Sequence, residues 1–284
     1  MIVSLQDEKN NFLKTLGMLA KELTDYVSSS QGGWTIKGFI DINKNIYHLS
    51  TDTKIISKIL EIQLFPKFQE FANQHGYTIV LTEKQNWYPD LSFVKKSDPS
   101  IKFAVDIKTT YRLNEYPNHY NGFTLGSHGE YFRNRKSNKN IQYPYGDYLA
   151  HIALGILYTR VIETGMDETK IMKICELDSI TSAIKDLSFF VHEKWKIASD
   201  RSGSGNTVNI GSIDYIPDIL NGNGVFTKLR EDIFDEYWIN QGVLQVPDTK
   251  KKGNFKKLTK LSEFMEFKGL DRNKIYPVKP KRKK

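Results

Sequence analysis

With 284 residues, 39% of them hydrophobic and 12% aromatic, the chain is long enough to bury a sizeable core as one large domain or as one domain with a small appendage. Cys175 is the single cysteine, which excludes an intramolecular disulfide and any metal site built on paired thiolates and suits a reducing cytosol; no apolar run is long enough to cross a bilayer, and the amino terminus lacks the basic and apolar regions of an export signal, so a cytoplasmic protein with no membrane partner is expected. The net charge of +8 is uneven, because residues 250–284 hold 14 Lys or Arg against 3 Asp or Glu and leave the preceding body slightly acidic, so charge alone does not identify a nucleic-acid partner.

Phe12, Leu13, Leu16, Leu19, Leu23, Tyr26 and Val27 recur at helical spacing, which predicts a first helix over 7–28, stopped by Gly32-Gly33. Trp34–Asp41 and Ile46–Leu49 read as two short strands around Asn43-Lys44-Asn45. A second helix is predicted from Thr53 to His75, with Ser50, Thr51 and Asp52 as candidate caps, Pro66 as a kink and Gly76 as the stop. Tyr77–Thr82, Leu91–Lys95 and Ile101–Ile107 are apolar, partly β-branched runs separated by polar turns, and predict a meander. Farther on, Tyr148–Ile162 reads as an apolar helix, Phe189–Ala198 as a buried strand and Leu229–Ile239 as a short amphipathic helix. Asp200–Thr207 is small and polar, a loop whose backbone can approach another molecule closely. The class is mixed α/β.

Val105-Asp106-Ile107-Lys108 ends an apolar strand. Residues two apart share a face, so Asp106 and Lys108 project together while Val105 and Ile107 project oppositely. Pro89-Asp90 opens the preceding strand, and a short return sets Asp90 beside Asp106. Two carboxylates and an ammonium group in one place suit phosphodiester hydrolysis, in which a hard divalent cation held by oxygen ligands activates water and a lysine orients that water or stabilises developing charge. Acidic-x-Lys triplets also occur as Asp52-Thr53-Lys54, Glu168-Thr169-Lys170 and Asp248-Thr249-Lys250. Only the triplet at 106–108 lies on an apolar strand, and pattern alone leaves a surface ion pair open beside the metal site, the ion pair being the commoner outcome. Gly203-x-Gly205 completes neither a phosphate-binding loop nor a dinucleotide fingerprint. The six histidines are scattered without metal-ligand spacing, which disfavours a zinc mechanism.

Pro89-Asp90 followed by Asp106-Ile107-Lys108 is similar to the Pro-Asp…Asp/Glu-x-Lys signature of the restriction-endonuclease-like nuclease family. Ser50–Lys54, Gln85–Asp90, Asp106–Tyr111, Phe123–Gly126, Tyr158–Val161 and Gly203–Ser212 resemble, in the same order, stretches of type II restriction endonucleases of that family, over roughly residues 34–240. The resemblance implies an α/β restriction-endonuclease-like fold, a mixed central β-sheet flanked by helices. Residues 1–249 would form the nuclease domain with its dimerisation and DNA-recognition loops, and 250–284 a basic extension.

By the same resemblance Asp90 and Asp106 would hold Mg2+, Lys108 would serve the attacking water, and Glu61 would be an auxiliary acid near the scissile phosphate. The role of Glu61 rests wholly on the match, because on sequence alone it is a charged residue on an amphipathic helix. Gly203–Asn209 resembles a loop that reads base edges in the major groove: Gly203 and Gly205 admit close backbone approach, Asn206 suits adenine and Thr207 offers a methyl to thymine. Gln85 and Asn86 look like the companion loop on the minor-groove side, and Thr124 and Asn209 complete the DNA-binding candidates. The resemblance further implies a homodimer on palindromic double-stranded DNA, GATATC cut at its centre to blunt ends, and a cognate DNA methyltransferase in the same host. Residues 1–33 and 163–188 match weakly, Trp87 stands where the family has histidine, and His128-Gly129-Glu130 and the basic tail also depart. The rivals are a nicking or repair endonuclease of the same fold and a non-catalytic DNA-binding protein.

Overall fold

The structure is a computed structural model, and it describes residues 4–84, 86–161, 169–203, 208–248 and 253–279. In chain order its first half runs α1 (Leu5–Val27), β1 (Gly38–Ile40), β2 (Asn45–His48), α2 (Thr53–Gln74), β3 (Tyr77–Val80), β4 (Leu91–Lys95), β5 (Lys102–Tyr111), β6 (Thr124–Ser127), α3 (Glu130–Arg133) and β7 (Ala150–Arg160). The second half continues with β8 (Ile171–Lys173), β9 (Ile184–Glu193), α4 (Lys194–Ile197), β10 (Ala198–Ser202), β11 (Asn209–Ser212), α5 (Ile216–Leu220), α6 (Glu231–Asn240), β12 (Gln245–Pro247), β13 (Phe255–Lys257) and α7 (Leu261–Phe267).

The two long helices form where apolar spacing and caps place them. Ser4 caps α1 through the Asp7 amide, and Asp52 caps α2 by accepting from Lys54 N at 2.9 Å and Ile55 N at 3.2 Å. Between the three candidate caps of α2, the carboxylate at 52 wins because it reaches two amides that the helix itself leaves unpaired. The helix runs through Pro66 and stops before Gly76, whose φ of +76° suits a residue without Cβ.

Five strands form the central sheet in the order β3-β4-β5-β7-β9, with β5 and β7 parallel and the other neighbours antiparallel. This is the mixed α/β sheet flanked by helices expected of a restriction-endonuclease-like fold. One face meets α1 and α2 in a cluster that holds Phe12, Leu16, Leu60, Leu64, Phe103 and Val105. The other meets the carboxyl-terminal helices in a second cluster, with Phe226, Phe234, Trp238, Phe264 and Met265 buried together.

Tyr148–Ile162, expected as a helix, is corrected to strand: Ala150–Arg160 is β7, and Ile162 lies outside the described residues. The alternation is present but concealed. Ile152, Leu154, Ile156 and Tyr158 enter the first cluster while Ala153 and Leu157 enter the second, so both faces are apolar and the strand reads as a continuous run. Gly155 faces Phe190 on β9, and a Cβ there would overlap the Phe190 ring. The expected strand Phe189–Ala198 is likewise shifted: β9 runs Ile184–Glu193, and Lys194–Ile197 turns helically before β10.

The chain beyond 250, read from composition as an extension, packs onto the body over its described part. Leu258, Leu261, Phe264 and Met265 are fully buried beside Tyr237 and Trp238. Its cations are partly neutralised, Lys256 by Glu263 at 2.6 Å, Lys268 by Glu236 and Arg272 by Glu266.

Phe12 ties α1 to the sheet, stacking on Phe103 with centroids 4.0 Å apart and meeting Phe71, Tyr77 and Phe93 edge-on. Phe12→Ala is expected to cost about 3–5 kcal/mol of unfolding free energy, measured by denaturant titration, because the rings around it cannot collapse into the space.

Candidate active site

β4 and β5 pair with Leu91 opposite Val105, which brings Asp90 alongside Asp106. Asp90 accepts a hydrogen bond from the Ile107 amide at 2.7 Å, so one carboxylate is anchored to the backbone of the strand that carries the other. Asp106 and Lys108 project from one face as their spacing requires, with Lys108 Nζ 2.8 Å from Asp106 Oδ2. Asp106 is only 4% exposed, and its Oδ2 makes no hydrogen bond of good geometry despite the ammonium groups nearby.

A second ammonium group, absent from the sequence reading, completes the cluster. Lys194, at the end of β9, is 3% exposed, with Nζ 3.3 Å from Asp106 Oδ2 and 3.8 Å from the centre of the Tyr88 ring. It donates to the Leu125 carbonyl at 2.9 Å. Beneath it, the Tyr88 hydroxyl lies 2.9 Å from His151 Nδ1, and His151 Nε2 lies 3.0 Å from the Tyr145 carbonyl. A carbonyl only accepts, so Nε2 donates to it, and in a neutral ring Nδ1 then accepts from the Tyr88 hydroxyl. Burial and the Lys194 charge hold His151 well below the usual histidine range, in accord with that tautomer.

The two carboxylates are driven apart in acidity. Burial and the neighbouring charge of Asp106 push Asp90 up to about 7. Burial also opposes ionisation of Asp106, but Lys108 and Lys194 outweigh it and hold that carboxylate well below the usual range. Burial pushes Lys194 down to about 8. At neutral pH and below, a proton shared between the carboxylates therefore resides on Asp90.

Asp90 and Ile107 line a cleft of about 1040 Å³ whose other walls include Glu61, Lys58, Asn86 and Thr109. Glu61 thus shares the cleft with Asp90, where it pairs with Lys58 at 2.8 Å. Among the described residues no group of three or more His, Cys, Asp or Glu side chains converges as a metal cage. Two carboxylates with one buried oxygen lacking a well-formed hydrogen bond still fit a hard cation such as Mg2+, which commonly takes one or two carboxylates and leaves its other positions to water and substrate phosphate.

Of the DNA-binding candidates, Gln85, Gly205, Asn206 and Thr207 lie outside the described residues. Asn86 lies in the cleft. Gly203, Asn209 and Thr124 form the stem of the candidate recognition loop: Gly203 N donates to Asn209 O at 2.7 Å, and β11 pairs with β6 through Asn209 opposite Ser127 and Gly211 opposite Thr124. A Cβ at Gly203 would lie 2.6 Å from Thr124 Cγ2, so glycine is required there for the two segments to approach.

The sequence did contain a signal for Lys194. A lysine inside the buried run Phe189–Ala198 demands a counter-charge, but Glu193-Lys194-Trp195-Lys196 reads just as well as a solvated charged stretch.

The family model for restriction endonuclease EcoRV matches residues 30–269. The type II restriction enzyme EcoRV of Escherichia coli is 40% identical over 223 residues, which cover 78% of this chain and 88% of that enzyme.

The raised Asp90 makes a signed prediction for the metal-free protein. Its folded form keeps a proton between the unfolded value of 3.8 and about 7, where the unfolded chain has lost it, so this group's contribution to stability falls as pH rises through that window. Asp90→Asn is expected to raise the melting temperature at about pH 8, with the gain shrinking on acidification and gone by about pH 4, in thermal unfolding with a chelator present.

Proposed function

Because the chain belongs to the EcoRV restriction endonuclease family and is therefore a type II enzyme that hydrolyses DNA, we propose that it cuts double-stranded GATATC at its centre with Asp90, Asp106 and Lys108 as its catalytic set. The observation that carries this reading is the convergence of the three residues on two paired strands of a rigid sheet, with Asp90 also lining an open cleft.

Asp90 and Asp106 would hold Mg2+, which when bound lowers the pKa of an attacking water and polarises the phosphate. Lys108, whose ammonium form is favoured by the two carboxylates although burial opposes it, orients that water and offsets negative charge developing on the phosphate. Glu61 lines the same cleft as Asp90 and serves as the auxiliary acid. Asp90, protonated in the metal-free protein, would hold the cation as a carboxylate, because a bound cation would supply the charge that makes a second carboxylate tolerable.

Base reading falls to the segment 203–209, through Gly203, Gly205, Asn206, Thr207 and Asn209 with Thr124 beside its stem, and to Gln85 and Asn86, which precede Asp90 in the chain. A palindrome calls for a symmetric reader, so the active form is a homodimer. The β1-β2-β8 sheet and its turns leave Phe39, Ile40, Ile42, Tyr47, Ile171 and Ile174 exposed, apolar surface that a second subunit would cover. The basic residues after 250 add phosphate affinity without sequence information. An enzyme that cuts every unmodified copy of its site requires a DNA methyltransferase of the same specificity in its host.

Asp90→Ala, Asp106→Ala and Lys108→Ala are each expected to lower cleavage of a GATATC duplex by about a thousandfold or more while gel-shift binding persists, since they remove catalytic groups and leave the reading loops intact. Near-normal turnover in the Asp variants overturns the site. Cut ends mapped on both strands of a sequenced plasmid are expected to be blunt and central in GATATC, and Asn206→Ala to lose on the order of 1–3 kcal/mol of discrimination for each base contact removed. Staggered ends or a different site overturn the specificity while leaving the nuclease in place.

A further inference from the structure

Lys194 is the one buried ammonium group in the described cluster that the proposed chemistry does not use, and its surroundings connect two parts of the molecule. On one side it faces Asp106 Oδ2 at 3.3 Å. On the other it donates to the Leu125 carbonyl at 2.9 Å, in the middle of β6. β6 pairs with β11, which leads out of the recognition loop, and the His128 amide just beyond β6 donates to the Val208 carbonyl at 2.8 Å. The chain entering the loop starts from the same place, since the turn Lys194–Ile197 runs directly into β10 and β10 into Gly203.

The space around Lys194 is shaped for it. Gly126, at φ +92°, has no side chain, and a Cβ there would meet Lys194 Nζ at 3.3 Å and the Tyr131 hydroxyl at 3.2 Å. The Tyr88 ring closes another side at 3.8 Å, and Tyr88 is two residues before Asp90. A flexible four-carbon stem ending in a point charge would otherwise be a poor choice for a closed space, because burying it costs solvation and rotamer entropy. Here the ammonium group has an acceptor on the recognition side and a counter-charge on the catalytic side.

We propose that Lys194 is a positioning residue that ties the Asp106 carboxylate to the β6–β11 strands at the base of the recognition loop, so that the placement of a catalytic carboxylate depends on how that loop is seated. The link rests on the reading of Asp106 as a catalytic carboxylate and goes beyond it, because it assigns a part in selectivity to a lysine that is almost wholly buried. When a correct site seats the loop, β6 and the Leu125 carbonyl hold Lys194 where it aligns Asp106. With an incorrect site the same contacts draw the carboxylate out of line, and a small misplacement of a catalytic group carries a large loss of rate.

Lys194→Met keeps the length of the side chain and removes its donors, and Lys194→Gln keeps an N–H group for the Leu125 carbonyl. In the full-length protein, Lys194→Met is expected to lower kcat on a GATATC duplex by about 100-fold with KM within about threefold of the parent. Binding of the same duplex in Ca2+ is expected to stay within about threefold, because the reading loops are untouched. Two further readouts separate positioning from a merely structural role. The ratio of kcat/KM for GATATC over a duplex with one base pair changed is expected to fall roughly tenfold, as chemistry ceases to follow the loop. The Mn2+ midpoint of the protein–DNA complex, measured by calorimetry, is expected to rise roughly tenfold, as Asp106 ceases to be held in place.

Removing a positive charge would by electrostatics alone tighten cation binding, so a lowered Mn2+ midpoint overturns the proposal and marks Lys194 as a competing cation. A parental kcat overturns it as well, and an unchanged selectivity ratio overturns the link to the loop. If Lys194→Met does not fold, the same measurements on Lys194→Gln decide, with smaller changes in the same directions expected and parental values overturning the tether. Asp106→Ala is the control: if it cleaves normally the underlying reading of the site has failed, whereas an inactive Asp106→Ala beside a parental Lys194→Met refutes the tether alone.

Discussion

Asp106 sits almost without solvent between two ammonium groups, and most of what surrounds it follows from that burial. A carboxylate removed from water loses several kcal/mol of solvation, which only close counter-charges and hydrogen bonds offset. Lys108 supplies one from the same strand face and Lys194 another from the end of β9. With those two in place Asp106 stays ionised, and Asp90 beside it cannot easily become a second anion. With Asp90 protonated, one carboxylate charge faces two ammonium charges, so the cluster is net positive and would become receptive to a divalent cation once phosphate adds negative charge.

Such an arrangement needs a platform that does not yield. β5 is flanked by β4 and β7, so the strand carrying Asp106 and Lys108 cannot shift without breaking ladders on both sides. Phe103, Val105 and Ile107 on its reverse face lie in the cluster that anchors α1 and α2, and the stacked Phe12 ring closes that layer. Close-packed interiors relax little, which keeps carboxylate positions fixed to the accuracy that phosphate chemistry requires. The opposite layer draws in the chain as far as Met265, and there the strands that bracket the recognition loop pack against the same aromatic cluster as the last helices.

Departures from the sequence expectations share a cause. β7 lies at the heart of the sheet with both faces covered, and its alternation became a uniform apolar run indistinguishable from a buried helix by period alone. α1 and α2 were legible because buried apolar residues recur along each at helical spacing, and α2 also because its start is marked by Asp52 as cap. Asp106 and Lys108 were legible because a two-residue spacing on a strand fixes a common face whatever the remainder of the chain does. Glu61 could be assigned only by resemblance, since nothing in its local pattern marks which helical face meets a cleft.

What the sequence alone determined is what depends on near neighbours: the two long helices, the cap of the second, the strand carrying Asp106 and Lys108, the single cysteine and the uneven charge. It also preserved a family signature long enough to name the chemistry. Only the tertiary structure decided which distant segments share the buried space. It placed Asp90 against the Ile107 amide, brought Lys194 to Asp106 from 88 positions along the chain and joined β11, which leads out of the candidate recognition loop, to β6. It also folded the basic carboxyl-terminal segment into the core as far as its apolar residues reach. The physical reason is that period and capping are local interactions, whereas the partner of a buried charge is chosen by whatever strand crossing delivers a counter-charge to it, and a linear pattern holds no record of that crossing.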